Sequence, residues 1–210
     1  VHKAKYSLLY QELPPYVLQL RDNRELTMNR VITNIPSAYK ELKEYLEQYP
    51  TKSADGTDVT LELNEDANDL VVRYRINHFM DKALHRILYL NSGASIVIDP
   101  TEALTVIDVN TGKAIAGKKL TEETFFAINM EAAKEIAAQI RLRNISGIIL
   151  IDFINMEDAS YNEKLMQLLK ELAARDRIPV NVVDMTGLKL VELTRKKVRK
   201  PLHEMVGFNK

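Results

Sequence analysis

Cysteine is absent from the sequence, which excludes disulfides and thiolate-bound metals and fits a reducing compartment. Glycine and proline are sparse, at seven each, and no stretch is low in complexity, as expected of an ordinary globular chain. No apolar run approaches the roughly 20 residues that a membrane span needs. A charged-then-apolar start of the kind that marks an export signal is also missing, so a cytoplasmic location is expected. The charges cancel, 29 basic against 29 acidic, and global charge therefore carries no nucleic-acid signal. No serine nucleophile elbow or phosphate-binding loop is present: Asn110-Thr111-Gly112-Lys113 shares only its Gly-Lys with the latter. Val1 rather than methionine opens the chain, which reads as a segment of a longer protein.

What is there suits one domain or two small ones packed together: 210 residues, 46% of them hydrophobic. The first part alternates strand and helix. Ser7–Tyr10 reads as a strand, Pro14-Pro15 opens a short helix through Arg21, and Arg30–Thr33 is a second strand. Pro36-Ser37 starts a helix with Tyr39, Leu42, Leu46 and Tyr49 at helical spacing. Val59–Leu63 alternates like a half-buried strand, and residues 70–74 fit either a strand or a helix start. A stripe of Ile76, Phe79, Met80, Ala83, Leu84, Ile87 and Leu88 predicts an amphipathic helix.

A fresh unit begins near Asn91-Ser92-Gly93. Ala94–Asp99 and Leu104–Asn110 read as adjacent strands, and Thr121 caps a long helix whose Ala132, Ala133, Ile136, Ala137 and Ile140 are buried. Ile148–Ile151 has the pattern of a strand covered on both faces. Ser160 and Glu163 form a capping box for the next helix, with Leu165, Leu168, Leu169 and Leu172 inward. Val180–Val183 and Leu190–Leu193 complete the strands. The fold class expected is α/β, layered helices on strands.

Four apolar runs end in, or pass into, aspartate: Asp99, Asp108, Asp152 and Asp184. Ligands of open α/β sheets gather beyond the carboxyl ends of strands, although each carboxylate also suits a turn or cap, and Asp99-Pro100 reads as turn initiation. In Val106–Asn110 the period of two puts Asp108 and Asn110 on one face, just before Thr111-Gly112. With Asp152 on a neighbouring strand, these oxygens could converge on a hard cation such as magnesium, which takes one or two carboxylates and keeps several waters. The alternative is a polar hairpin end. Near the C-terminus, Arg195-Lys196-Lys197-Val198-Arg199-Lys200 is basic, either a solvated end or a phosphate-binding segment.

Three blocks, in order, resemble the bacterial ribonuclease E/G family. The first is Ser92–Asn110, Ser-Gly-Ala-Ser-Ile-Val-Ile-Asp-Pro-Thr-Glu-Ala-Leu-Thr-Val-Ile-Asp-Val-Asn. The second runs from Asn129-Met130-Glu131-Ala132-Ala133 to Gln139-Ile140-Arg141-Leu142-Arg143, and the third is Gly147–Ile154, Gly-Ile-Ile-Leu-Ile-Asp-Phe-Ile. The resemblance is strongest from about residue 92 to 200. It implies a magnesium-dependent endoribonuclease acting on single-stranded RNA, with Asp108 and Asp152 as metal-binding aspartates and Asn110 in support. It also implies a partial RNase H-like subdomain over 1–91 and a DNase I-like catalytic subdomain over 92–210. Lys189, Arg195, Lys196 and Lys197 are the expected RNA contacts.

Two departures stand out. A second aspartate that commonly follows the Ile-Asp-Phe-Ile motif is Asn155 here, and in Thr186-Gly187-Leu188-Lys189-Leu190 the family's basic residue and glycine are exchanged. On this resemblance the chain begins after the family's RNA-binding barrel and 5′ phosphate pocket and stops before its zinc-linking cysteine pair. At most a homodimer held by ordinary packing is then expected. The alternative function is a non-catalytic RNA-binding or assembly domain of the same fold.

Overall fold

Proline at a helix start has no N–H to lose and a φ already set for the first turn, and two helices begin that way in the computed structural model: α1 (Pro15–Asp22) and α2 (Pro36–Gln48). The structure describes residues 13–22, 28–53, 55–112 and 121–207, the side chains of 67–69 apart. The strand expected at Ser7–Tyr10 lies outside the described residues. By its internal contacts the chain divides into two compact units, Val1–Asn77 and His78–Lys210.

In the first unit, β1 (Arg30–Thr33) and β2 (Thr60–Leu63) pair in parallel, Arg30 opposite Thr60 and Thr33 opposite Leu63, with α2 as the crossover between them. Val17, Leu20 and Leu42 form a small core beneath them. Residues 70–73, open between strand and helix in sequence, belong to helix α3 (Ala67–Arg73). The amphipathic helix that follows is shorter than its apolar spacing implies. α4 (Ile76–Leu84) stops before Ile87, and Ile87–Tyr89 is strand β3. Ile87 and Leu88 fall at helical spacing only by position. Cross-strand bonding to β4 (Ser95–Pro100) takes them, with Ile87 opposite Val97. Of the expected stripe Ala83 is buried, whereas Ile76 and Phe79 are exposed.

The second unit carries a six-stranded mixed sheet in the order β3-β4-β5-β6-β8-β7. Its further strands are β5 (Leu104–Asn110), β6 (Gly147–Asp152), β7 (Val180–Met185) and β8 (Leu190–Arg195). Only β5 and β6 run parallel, joined through helix α5 (Glu122–Leu142); α6 (Ala159–Ala174) follows β6, and the short α7 (Leu202–Met205) closes the described chain. Ile128, Ala132, Ala133, Ile136 and Ile140 of α5 and Leu165 and Leu169 of α6 pack on one sheet face, against Ile96, Ile107, Ile149, Ile151 and Val191. Full burial of each such aliphatic side chain is worth roughly 1.5–3 kcal/mol, so this layer dominates the stability of the unit.

That packing is one-sided, which corrects the expectation for β6. Ile149 and Ile151 are fully buried, but Ile148 on the other face is 50% exposed. The run is apolar throughout, yet α5 and α6 pack on a single face. Asp99-Pro100 does not start a turn either: both residues stay in β4, opposite Val106 and Thr105, and Asp99 pairs with Arg86 through two hydrogen bonds. Thr121 caps α5 as its position implies, accepting from the Thr124 N–H at 3.3 Å. α6 is capped by Asp158, which accepts from the Ser160 N–H at 2.8 Å, two residues ahead of the expected Ser160.

Candidate active site

The end of β5 turns two polar groups toward the sheet face opposite the one that α5 and α6 cover. Ile107 and Val109 point into the core, so alternation sends Asp108 and Asn110 the other way. Asn110 donates through Nδ2 to Asp108 Oδ2 at 2.6 Å, which holds the two side chains together. On the parallel neighbour, Asp152 lies directly beside Asp108, the last matched pair of the β5–β6 register. Ile151, like Ile107, is fully buried, so both carboxylates stand on the open face. Neighbouring strands are about 4.8 Å apart, and like charges so placed destabilise the sheet. Partial burial, and then the charge of Asp108, push the Asp152 carboxyl above its ordinary value. The fold thus holds two carboxylates where they repel, at strand ends, with Asp152 exposed and Asp108 half-buried. Among the described residues no three carboxylates or imidazoles gather into a fuller cage.

The segment that follows Asp152 is held by side chains the sequence reading did not single out. Asn129, fully buried on α5, donates to the Ile154 carbonyl at 2.8 Å and accepts from the Ile154 N–H at 3.1 Å. Glu122 accepts from the Glu157 N–H, and Asn162 donates to the Met156 carbonyl at 3.2 Å. These bonds satisfy backbone groups that would otherwise be costly to bury, and they fix where the chain goes after β6. A polar residue on the apolar face of a long helix is the sequence signal that could have found Asn129.

The expected RNA contacts separate. Lys189 sits in the β7–β8 turn, next to Leu190, the partner of Asp152 in β8. Its Nζ donates to the Met156 carbonyl at 2.8 Å, so it braces the same segment. Lys189 rather than Gly187 holds the left-handed backbone of this turn, at φ 64°, the conformation that favours glycine. The exchange noted in the sequence therefore leaves a lysine in a glycine-like position. Arg195 turns inward. It is 4% exposed, paired with Asp176 at 2.9 Å, and donates to Asn144 Oδ1 and the Ile145 carbonyl, so its guanidinium is not offered to a ligand. Lys196 and Lys197 are exposed but follow the end of β8 that pairs with Gly147, at the opposite end of β6 from Asp152. At about 3.4 Å per residue that separation is roughly 20 Å.

The second unit is thus a mixed α/β fold with two carboxylates paired at the ends of parallel strands, and the sequence comparison identifies its family. The profile of the ribonuclease E/G family matches residues 1–198, and the chain belongs to that family. Among its relatives, Ribonuclease G of Escherichia coli K12 is 32% identical over 198 residues, 94% of this chain and 40% of that protein. Ribonuclease G of Haemophilus influenzae is 35% identical over 97% of this chain and 41% of its own length. Ribonuclease E of a Nostoc species is 35% identical over 90% of this chain and 27% of its own. The chain spans about two fifths or less of the length of these relatives.

Proposed function

We propose that the second unit carries the centre of a magnesium-dependent endoribonuclease that hydrolyses phosphodiester bonds in single-stranded RNA, in cytoplasmic RNA processing. The observation that carries this reading is the in-register pair Asp108 and Asp152 on the open sheet face, with Asn110 bonded to Asp108. Family membership supports the RNA substrate. The same reading takes residues 92–210 as a DNase I-like catalytic subdomain and residues 1–91 as a partial RNase H-like subdomain, and takes assembly to be a homodimer at most.

The donor set fits magnesium. It is all oxygen, it lacks any thiolate, and its two carboxylates leave room for the waters and substrate oxygens that this ion keeps. Asp108 and Asp152 would hold it, and a cation there would offset both the partial burial and the Asp108 charge that raise the Asp152 carboxyl. Bound there, the ion supplies positive charge against a phosphodiester that gains negative charge toward its transition state. Asn110 keeps the Asp108 carboxylate oriented, and the braced segment after Asp152 limits how far the second carboxylate can swing. Attack by water would leave a 5′ phosphate and a 3′ hydroxyl.

The test is cleavage of a fluorescent single-stranded RNA, with and without magnesium, by the parent chain, Asp108→Asn, Asp152→Asn and Asp99→Asn. Asn keeps the shape of Asp, so all should fold. Charge stabilisation by the metal is worth several kcal/mol, and about 1.4 kcal/mol is tenfold in rate, so the first two should lose at least roughly 100-fold. Asp99→Asn should stay near the parent. A folded Asp152→Asn chain that cleaves at the parent rate in limiting magnesium would overturn the reading.

A further inference from the structure

β3 is the edge strand of the second sheet, and its alternation is clear: Leu88 is 7% exposed in the core, while Ile87 and Tyr89 are 40% and 81% exposed on the other face. That is the face of Asp108 and Asp152. The register carries the relation across the sheet. Tyr89 lies opposite Ser95, and Ser95 opposite Asn110; one step along, Ile87, Val97, Asp108 and Asp152 form the next row. Tyr89 is thus in the row of Asn110, with only the small Ser95 between them. At about 4.8 Å per strand, its Cα is roughly 10 Å from that of Asn110. Among the described residues no ring packs on Tyr89 and none hydrogen-bonds its hydroxyl. An aromatic ring left in water on a sheet face forgoes the burial that rings usually contribute.

Building on the endoribonuclease reading, we propose that Tyr89 is the stacking surface for a nucleobase of the RNA strand whose phosphate lies at Asp108 and Asp152. Three points of chemistry favour this occupant. A ring on a sheet face offers any base its π-surface, and stacking of this kind is sequence-tolerant. The ring is neutral, so beside two carboxylates it adds affinity where a further acidic group would repel the strand. The separation is within the footprint of a few nucleotides, and single-strand sites commonly cover roughly 4–16. The cations of the 196–200 segment lie at the other end of the sheet and cannot supply this contact.

The probe is a short single-stranded RNA carrying 2-aminopurine, whose fluorescence falls when it stacks on an aromatic ring. It is titrated into the full chain in the Asp152→Asn background, with Tyr89, Tyr89→Phe and Tyr89→Ala compared and the unfolding midpoint of each checked. Quenching should occur with Tyr89 and Tyr89→Phe and be lost with Tyr89→Ala, whose Kd should be weaker by about fivefold or more. In the catalytically intact background, Tyr89→Ala should raise KM more than it lowers kcat. Equal quenching and equal Kd for a folded Tyr89→Ala chain would overturn the proposal. So would unchanged RNA binding with a loss of self-association in light scattering, which would make β3 a protein edge instead. The binding readout does not depend on cleavage: if Asp152→Asn still cleaves, the endoribonuclease site is misassigned while the quenching result stands.

Discussion

Arg195 turns its guanidinium into the protein, where Asp176, Asn144 and the Ile145 carbonyl take its donors. The side chains of the ion pair are 3% and 6% exposed, so removing one partner leaves the other charge buried and unpaired. Breaking a buried pair this way costs about 3–5 kcal/mol. Arg195→Ala should therefore lower the unfolding midpoint by roughly 6–20 °C in a chain of this size. Lys196→Ala and Lys197→Ala, on exposed neighbours, should change stability by less than about 0.5 kcal/mol. Thermal melts of the three variants check this, and an Arg195→Ala chain as stable as its parent would return Arg195 to the surface contacts. In sequence the three residues are one basic run. What divides them is the alternation of β8, which sends Val191, Leu193 and Arg195 inward together.

The end of β5 depends on the turn that follows it. Gly112 has φ 51°, and a Cβ built on it would lie 2.8 Å from the Gly93 carbonyl oxygen, a backbone atom that cannot swing aside. Gly56 also has a positive φ, 84°, but nothing lies within 4 Å of it. Both lose the left-handed freedom of glycine on substitution, about 1–2 kcal/mol, and only Gly112 adds a clash. Gly112→Ala should thus destabilise more than Gly56→Ala and should also slow RNA cleavage, because Asn110 lies two residues before it. Melts and rates on the same samples compare them. Equal effects of the two substitutions would mean that the approach to Gly93 does not matter. At this scale the α4–β3 boundary is also instructive: apolar spacing continued a helix through Ile87 and Leu88, whereas ladder bonds to β4 made them a strand.

Across the whole second unit, charge is distributed by the sheet's direction. The carboxylate pair stands at one end of β6, and Lys196, Lys197, Arg199 and Lys200 follow the strand that leads to the other end. If the basic segment meets RNA, a strand long enough to reach both ends would gain phosphate contacts that release counterions, each contributing about −0.7 to the slope of log affinity on log salt for single strands. Binding of a long single strand should therefore be weak and steeply salt-dependent. Replacing Lys196 and Lys197 together by alanine should reduce the slope by roughly 1.4, if each meets one phosphate. Affinity measured over a series of salt concentrations reads this directly. An unchanged slope would show that the basic segment does not meet the RNA.

Much of this protein was legible in its residues. Period-two alternation in Val106–Asn110 assigned Asp108 and Asn110 to one face, Thr121 announced its helix, and the family blocks located Asp152, because each of these is a local pattern. Sidedness was not legible. Ile148–Ile151 is apolar at every position, and only the packing of α5 and α6 on a single face decided that Ile149 and Ile151 are core while Ile148 meets water. The convergence of Asp108 and Asp152 was expected, but their exact register was not legible, nor was it that Tyr89 shares the row of Asn110 or that Arg195 parts from the lysines after it. Register between strands distant in sequence, and the choice of which face helices cover, are set by the summed burial of the whole sheet, so tertiary structure alone decides them.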